Sequence, residues 1–547
     1  MKAKKAVKIA IITVILLAVA FLYYYIALPA INIHSKGFWG FLIFMLVVVN
    51  VIMLIRKLSI NEGILERRAR FEISFLKEIK FTLIALGAVI VVFIFANIAS
   101  STFFNAKRYQ KLMKVETRDF LTDIQQTDYK TIPLLDKASA TLLGDKKMGS
   151  MVDIVSQFEV ASDYTQINYK GTPVRVTPLE YAGIIKWLTN QKEGIPAYIL
   201  IDMTTQETEC VKLTDEIKYS ESEHFGRYIH RHLRFNYPTY IFDDDIFFEI
   251  DDEGVPYWVC PVVKYNIGLF GGKTIGRVVL CNAITGECID YDVKDVPTWI
   301  DKVYSAELLL QLYDYYGSLK KGFWNSILGQ KGCLQTTNGY NYIAMDDDVW
   351  VYTGVTSVAS DQSNVGFVLM NQRTMETRFY IIEGAIEDSA MSSAEGQVQN
   401  LGYDATFPLL LNIADEPTYF MALKDDAGLV KKYAMVNIHN YQWVAIGDTV
   451  KECEINYRTL LNTNGITVQV ENEQLDKSGT IEAISNIVIG GNTHYYLMLE
   501  NDDAVYDIDM SNSNFAPAFS LMAGDRISFT YEKGDTVNKI NTLKKLK

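Results

Sequence analysis

Three uninterrupted apolar runs occupy the start of the chain, at 9–31, 38–55 and 81–99. They are 23, 18 and 19 residues long, and none contains Asp, Glu, Lys or Arg. About 20 such residues cross the hydrocarbon of a bilayer as a helix. The first run is too long for the apolar core of a signal peptide, no small-x-small cleavage site follows it, and two more runs come after. The reading is three membrane spans, with the lipid bilayer as the first partner.

Basic residues in the flanks set the expected orientation. MKAKKAVK at the N-terminus carries four and the loop at 56–80, RKLSINEGILERRARFEISFLKEIK, carries seven, whereas INIHSKGF between the first two runs carries one. This predicts a cytoplasmic N-terminus and second loop, with the C-terminal part extracytoplasmic. KRYQKLMK, just past the third run, points the other way with only four. The 56–80 loop is expected to lie on the membrane as an amphipathic helix, Leu65 and Phe71 inward and Arg67, Arg68 and Arg70 at the headgroups. Inside the spans, Asn50, Asn97 and Pro29 are the notable polar or kinking positions, and no intramembrane charge marks a transport path.

Charge divides at the same place. Residues 1–105 hold 12 basic and 4 acidic residues, and the remainder 40 basic and 61 acidic, a net charge of −21. So acidic an outer part does not suit nucleic acid, whose phosphates need a basic surface. With 547 residues the chain exceeds one core. The expected organisation is a membrane anchor at 1–105, a stalk at 106–130, α/β units at 131–245, 246–330 and 331–465 (the last a pair), and a small β-barrel at 466–547.

A short hairpin recurs in the outer part. ILIDMTTQETECVKL at 199–213, VVLCNAITGECIDYDV at 278–293 and FVLMNQRTMETRFYII at 367–382 each place Asp or Asn before a Thr-x-Glu turn. Asn437 holds the same place in a fourth copy, where His-Asn-Tyr replaces Thr-x-Glu. Asp or Asn there can cap the turn's own backbone, so the motif reads as a building block rather than a ligand site. Helical segments at 134–149, 180–194, 295–317 and from Ala385 onward alternate with the strands, giving an α+β class built from repeats that cover one another's apolar faces.

The run Cys281-Asn282-Ala283-Ile284-Thr285-Gly286-Glu287, with an aromatic strand before it and a helix after, resembles the PepSY-type module of bacterial envelope proteins. The resemblance covers 197–300 and 345–455. It implies an extracytoplasmic, non-catalytic module that regulates or inhibits partners. No N-x-Ser/Thr sequon occurs, which fits a bacterial envelope. The segment SGTIEAISNIVIGGNTHYYLMLENDDAVYDIDM, with Gly490-Gly491 as a turn, and the closing GDRISFTYEKGDTVNKI suggest a five-stranded barrel similar to an OB-fold.

Six cysteines, all in the outer part, are too few for a disulfide scaffold, and no CxxC supports a zinc site. A four-residue turn would set Cys281 opposite Cys288, within reach of a disulfide. EHFGRYIHRHLRFNYP at 223–238 gathers three histidines and three arginines in acidic surroundings. As a helix it aligns Arg227, Arg231 and Arg234 on one face, suited to an anion or an acidic partner, with His230 beside them. The competing reading pairs them with Asp243, Asp244 and Asp245. The spacing of His230 and His232 suits a strand better. GLFGGKTIG at 268–276 lacks the spacing of a phosphate-binding loop and reads as a hairpin loop. Ser318-Leu319-Lys320-Lys321 fits S-x-x-K without its companion motifs. The clusters Asp243 to Asp245, Asp251 to Glu253 and Asp346 to Asp348 lack calcium-loop spacing and read as turns. The sequence thus points to a membrane-anchored envelope protein that scaffolds or regulates a protein partner, without cofactor, metal or catalytic residues. A sensor coupling the outer part to the cytoplasmic loop is second, and an envelope hydrolase third.

Overall fold

In the computed structural model the three apolar runs are helices α1 (Lys2–Ala27), α2 (Lys36–Asn61) and α3 (Phe71–Ala99), each long and apolar enough to cross a membrane. The structure describes the chain outside residues 1, 62–70, 128–131, 134, 346, 358–362, 469–474, 490–491, 511–512, 533, 535–536 and 547. The expected headgroup arginines Arg67, Arg68 and Arg70, with Leu65, Gly490, Gly491 and Asp346, therefore lie outside the described residues. Phe71 begins α3. The Thr82 hydroxyl of α3 donates to Asn50 Oδ1 of α2 at 2.7 Å, a polar tie between two apolar helices.

The segment expected to stand off the membrane as a stalk is packed instead. Helix α4 (Thr102–Gln110) follows α3, Tyr109 and Met113 are buried, and Glu116–Arg118 pairs in parallel with Thr377–Tyr380. Phe120 is buried with its ring edge-on to Tyr380, 5.9 Å between centroids. The apolar minority of this polar stretch suffices to hold it down.

The chain forms two compact units, Met1–Cys453 and Glu454–Lys547. Among the described residues the first contains four sheets of five, four, seven and five strands, antiparallel except at Glu116–Arg118. The four-stranded sheet, Phe247–Ile250, Pro256–Ile267, Gly271–Asn282 and Cys288–Asp292, is covered on both faces. Its side chains alternate between two cores, as period-two geometry demands. Phe248, Trp258, Cys260, Val279 and Cys281 face the core shared with the first sheet. Phe247, Val259, Val278 and Leu280 face the core of helix Ala306–Ser318 and the seven-stranded sheet.

The recurring hairpin has one geometry. Asp202, Asn282 and Asn371 each accept, through Oδ1, two backbone N–H groups of their own turn at 2.8–2.9 Å. Thr205, Thr285 and Thr374 then accept from the N–H of Glu207, Glu287 and Glu376. The residue between Thr and Glu has φ near +60° to +76° in each, although only Gly286 is a glycine; Gln206 and Met375 occupy the other two. Asn437 keeps such a bond, accepting from Asn440 N at 2.9 Å.

In the second unit, strands Leu475–Ile489, Asn492–Leu499, Val505–Asp509, Arg526–Glu532 and Asn538–Lys545 form a closed barrel. The third and fifth strands pair in parallel, and Phe515 and Ala518 of the connecting 3-10 turn add to the barrel core.

Candidate functional site

The basic segment is helical at Ile229–Asn236, so the strand expected from His230 and His232 does not form. Buried Ile229 and Leu233 fix its inner face and override the two-residue histidine spacing. Its arginines meet backbone carbonyls rather than the nearby acids. Arg234 Nε donates to Leu28 O at 2.8 Å and Arg231 Nε to Tyr25 O at 3.2 Å, with the Arg231 guanidinium 4.1 Å from the Tyr25 ring. These carbonyls belong to the C-terminal end of α1, where backbone acceptors are unpaired and the helix dipole favours cations. Arg227 donates to Gln191 O, and His230 Nε2 lies 2.9 Å from Glu221. Asp243 pairs with Lys273 at 2.7 Å.

The hairpin tip at Gly268–Gly272 docks on the other two spans. Ser100 Oγ accepts from the N–H groups of Leu269 and Phe270 at 3.1 and 3.2 Å, and the Phe270 ring lies against Trp39 and Phe93. A Cβ on Gly271 would meet Ser100 O at 2.3 Å, which explains the glycine.

Between the sheets of the first unit lies a cleft of about 610 Å³. Its walls are aromatic, with Tyr164, Phe247, Phe248, Trp258, Tyr342 and Phe407. Two cations reach it. Arg175, on strand Thr172–Tyr181, is only 5% exposed, and its two hydrogen bonds are long: 3.3 Å to Leu135 O and 3.5 Å to Gln166 Oε1. Asp136, the carboxylate whose charge it feels, already caps helix Lys137–Gly149 through Ser139 N and holds Lys424 at 2.6 Å. Lys302 is half-buried over the Phe247 ring at 4.3 Å. Neither cation has an ion pair among the described residues. Burial lowers the pKa of both; at Lys302 the carboxylates Glu249, Glu307 and Asp245 partly offset this, and Arg175 adds a smaller like-charge depression. Gln166 Nε2, beside the guanidinium, is a buried donor with no hydrogen-bond partner among the described residues. Exposed acids Asp163, Glu221, Asp244, Asp245 and Glu307 line the same cleft. The arrangement can receive a negative group at depth and a positive or donor group near the opening.

Beneath Lys302 lie two buried carboxyls. Glu249 accepts from the N–H groups of Asp301 and Lys302 at 3.0 and 2.9 Å, and Asp301 Oδ2 accepts from Asn168 N at 2.6 Å. Burial pushes Glu249 well up, and raises Asp301 to about 7 with help from Asp348 and Asp347.

Cys281 and Cys288 face each other across the hairpin as expected, their sulfurs 2.9 Å apart as free thiols. His232 closes a three-residue cluster with them, all ligand atoms within 4.8 Å.

Sequence reasoning missed Arg175 and Lys302. The signal was there for Arg175, a single cation embedded in the apolar string Val174-Arg175-Val176, whereas Lys302 stands beside Asp301. A charge that replaces an apolar residue inside such a string is buried by its neighbours. No protein-family model matches the chain, and no curated protein matches it in sequence.

Proposed function

We propose that this is a membrane-anchored binding protein whose outer part captures a small zwitterionic molecule in the central cleft and, in that state, organises or regulates a protein partner of the cell envelope. The observation that carries this reading is Arg175 with Lys302: one buried and one half-buried cation, neither ion-paired among the described residues, at a 610 Å³ cleft bordered by acids. Such an arrangement is costly until an anion enters. The shared turn geometry supports PepSY-like units, the closed five-stranded barrel supports an OB-like end, and the flanking basic residues support an extracytoplasmic outer part. The test is thermal unfolding of the full chain in detergent with acetate, inorganic phosphate or dialanine. Dialanine should raise the unfolding temperature most, and Lys302→Met should abolish the rise. A wild type unmoved by all three, or a rise that survives the substitution, refutes the reading.

A sensor is favoured by one further observation, the direct seating of the outer part on the apolar helices, through Arg234 at the end of α1 and Phe270 against Trp39 of α2 and Phe93 of α3. If ligand occupancy is relayed, Phe270→Ala should leave dialanine binding intact while abolishing a ligand-dependent change in Trp39 fluorescence. An unchanged Trp39 response refutes the relay.

A further inference from the structure

The proposed binding reaction leaves Cys281, Cys288 and His232 unused. Asn282 N donates to Glu287 O, so that pair is hydrogen-bonded and the adjacent Cys281 and Cys288 occupy a non-hydrogen-bonded pair, where cross-strand side chains approach most closely. Bringing the sulfurs from 2.9 Å into a bond needs roughly 1 Å of movement. Cys281 is fully buried and Cys288 half-buried, so one sulfur is reachable and the other waits behind it. His232 Nε2 lies 2.7 Å from Gly286 O. Asn236 Nδ2 lies 3.2 Å from the same nitrogen, so the ring faces both an acceptor and a donor there.

We propose that Cys288 and Cys281 are a redox-active dithiol, with Cys288 the attacking sulfur, Cys281 the resolving sulfur and His232 a positioning residue that favours the Cys288 thiolate. The oxidant is a disulfide on another molecule. Cys288 thiolate attacks one of its sulfurs, forming a mixed disulfide and expelling the other sulfur as a thiolate that takes up a proton. Cys281, losing its proton, then attacks Cys288 Sγ and expels the second sulfur. Two thiols of this chain become one disulfide and the partner disulfide becomes two thiols. The Cys281 S–H and His232 hold Cys288 down to about 6, against burial. The other groups facing the pair are Tyr219, Asn236 and Tyr237 from the side of His232, Cys260 from the neighbouring strand, and Glu287 from the turn.

The test uses the full chain in detergent, oxidised glutathione as the probe, and peptide mapping after alkylation. In the wild type one disulfide joins 281 to 288, dithiothreitol reopens it, and Cys210, Cys333 and Cys453 stay reduced. Cys281→Ser stops at a glutathione adduct on Cys288. Cys288→Ser reacts at least tenfold more slowly. The rate of Cys288 alkylation in the wild type has its midpoint near pH 6, and His232→Gln moves it up by a unit or more without preventing the disulfide. First adduct formation on Cys281, an alkylation midpoint at ordinary thiol pH, or stoichiometric zinc that protects both thiols of the purified protein would each overturn the proposal.

Discussion

Replacing Arg175 by Met should stabilise the ligand-free protein while abolishing its response to ligand. The side chain is 5% exposed and makes two hydrogen bonds of 3.3 and 3.5 Å, both long. Losing them costs about 1–2 kcal/mol together. Against this stands the burial of a guanidinium with no ion pair among the described residues, an uncompensated charge of a kind that costs about 3–5 kcal/mol when a partner is removed. Met keeps most of the aliphatic volume, so packing at the site changes little. The balance is a gain of about 1–4 kcal/mol. Thermal unfolding of both proteins in the same detergent, followed by tryptophan fluorescence, reads it as an upward shift of a few degrees. With dialanine present the wild type should catch up while the variant stays put. A variant several degrees less stable without ligand would refute the reasoning, because Arg175 would then be a satisfied structural link.

Asn371→Ala removes two acceptor bonds of 2.8 Å and a donor bond to Asp348, at a site 1% exposed, and should cost about 2–4 kcal/mol. Asn282→Ala, at a half-buried position with only the turn bonds, should cost about half as much, and equal unfolding temperatures would contradict this account of the turn. Asp301 is held up to about 7 in the folded chain from an ordinary 3.8. Its raised pKa contributes stability that is full below pH 4 and lost as pH climbs through 7, on the order of a few kcal/mol. Asp301→Asn should flatten that slope between about pH 4 and 7, with Glu249, Asp347, Asp348 and Arg373 as the neighbouring charges; an unchanged slope would show that another group titrates. Arg234→Met should free the end of α1 and expose 28–34 to protease, and Arg234→Lys should not restore protection, because one ammonium cannot reach Leu28 O and Tyr240 O together. Full rescue by Lys would refute the fork.

The three apolar helices were legible because length and apolarity, which a bilayer demands, are local properties of the chain. The turns were legible for a similar reason: Asp202, Asn282 and Asn371 bond to their own next few residues, so motif and geometry coincide. The cleft was not, since Arg175, Lys302 and Phe407 come from three different parts of the fold and meet only through tertiary packing. The arginines of 223–238 were singled out from composition, but Arg231 and Arg234 reach the carbonyls of Tyr25 and Leu28 about two hundred residues earlier, and no local pattern encodes that. The stalk reading failed because Met113, Phe120 and Ile124 were outvoted by polar neighbours in sequence yet found apolar surface in space.

The central claim is that Arg175 and Lys302 together await an anionic group. An experimental density map of the protein, extracted gently and at a resolution that shows bound small molecules, tests it most directly. The account predicts a discrete feature in the cleft within hydrogen-bonding distance of the Arg175 guanidinium and Lys302 Nζ. A cleft filled by its own side chains, with Arg175 paired to Asp244 or Asp245, would contradict it.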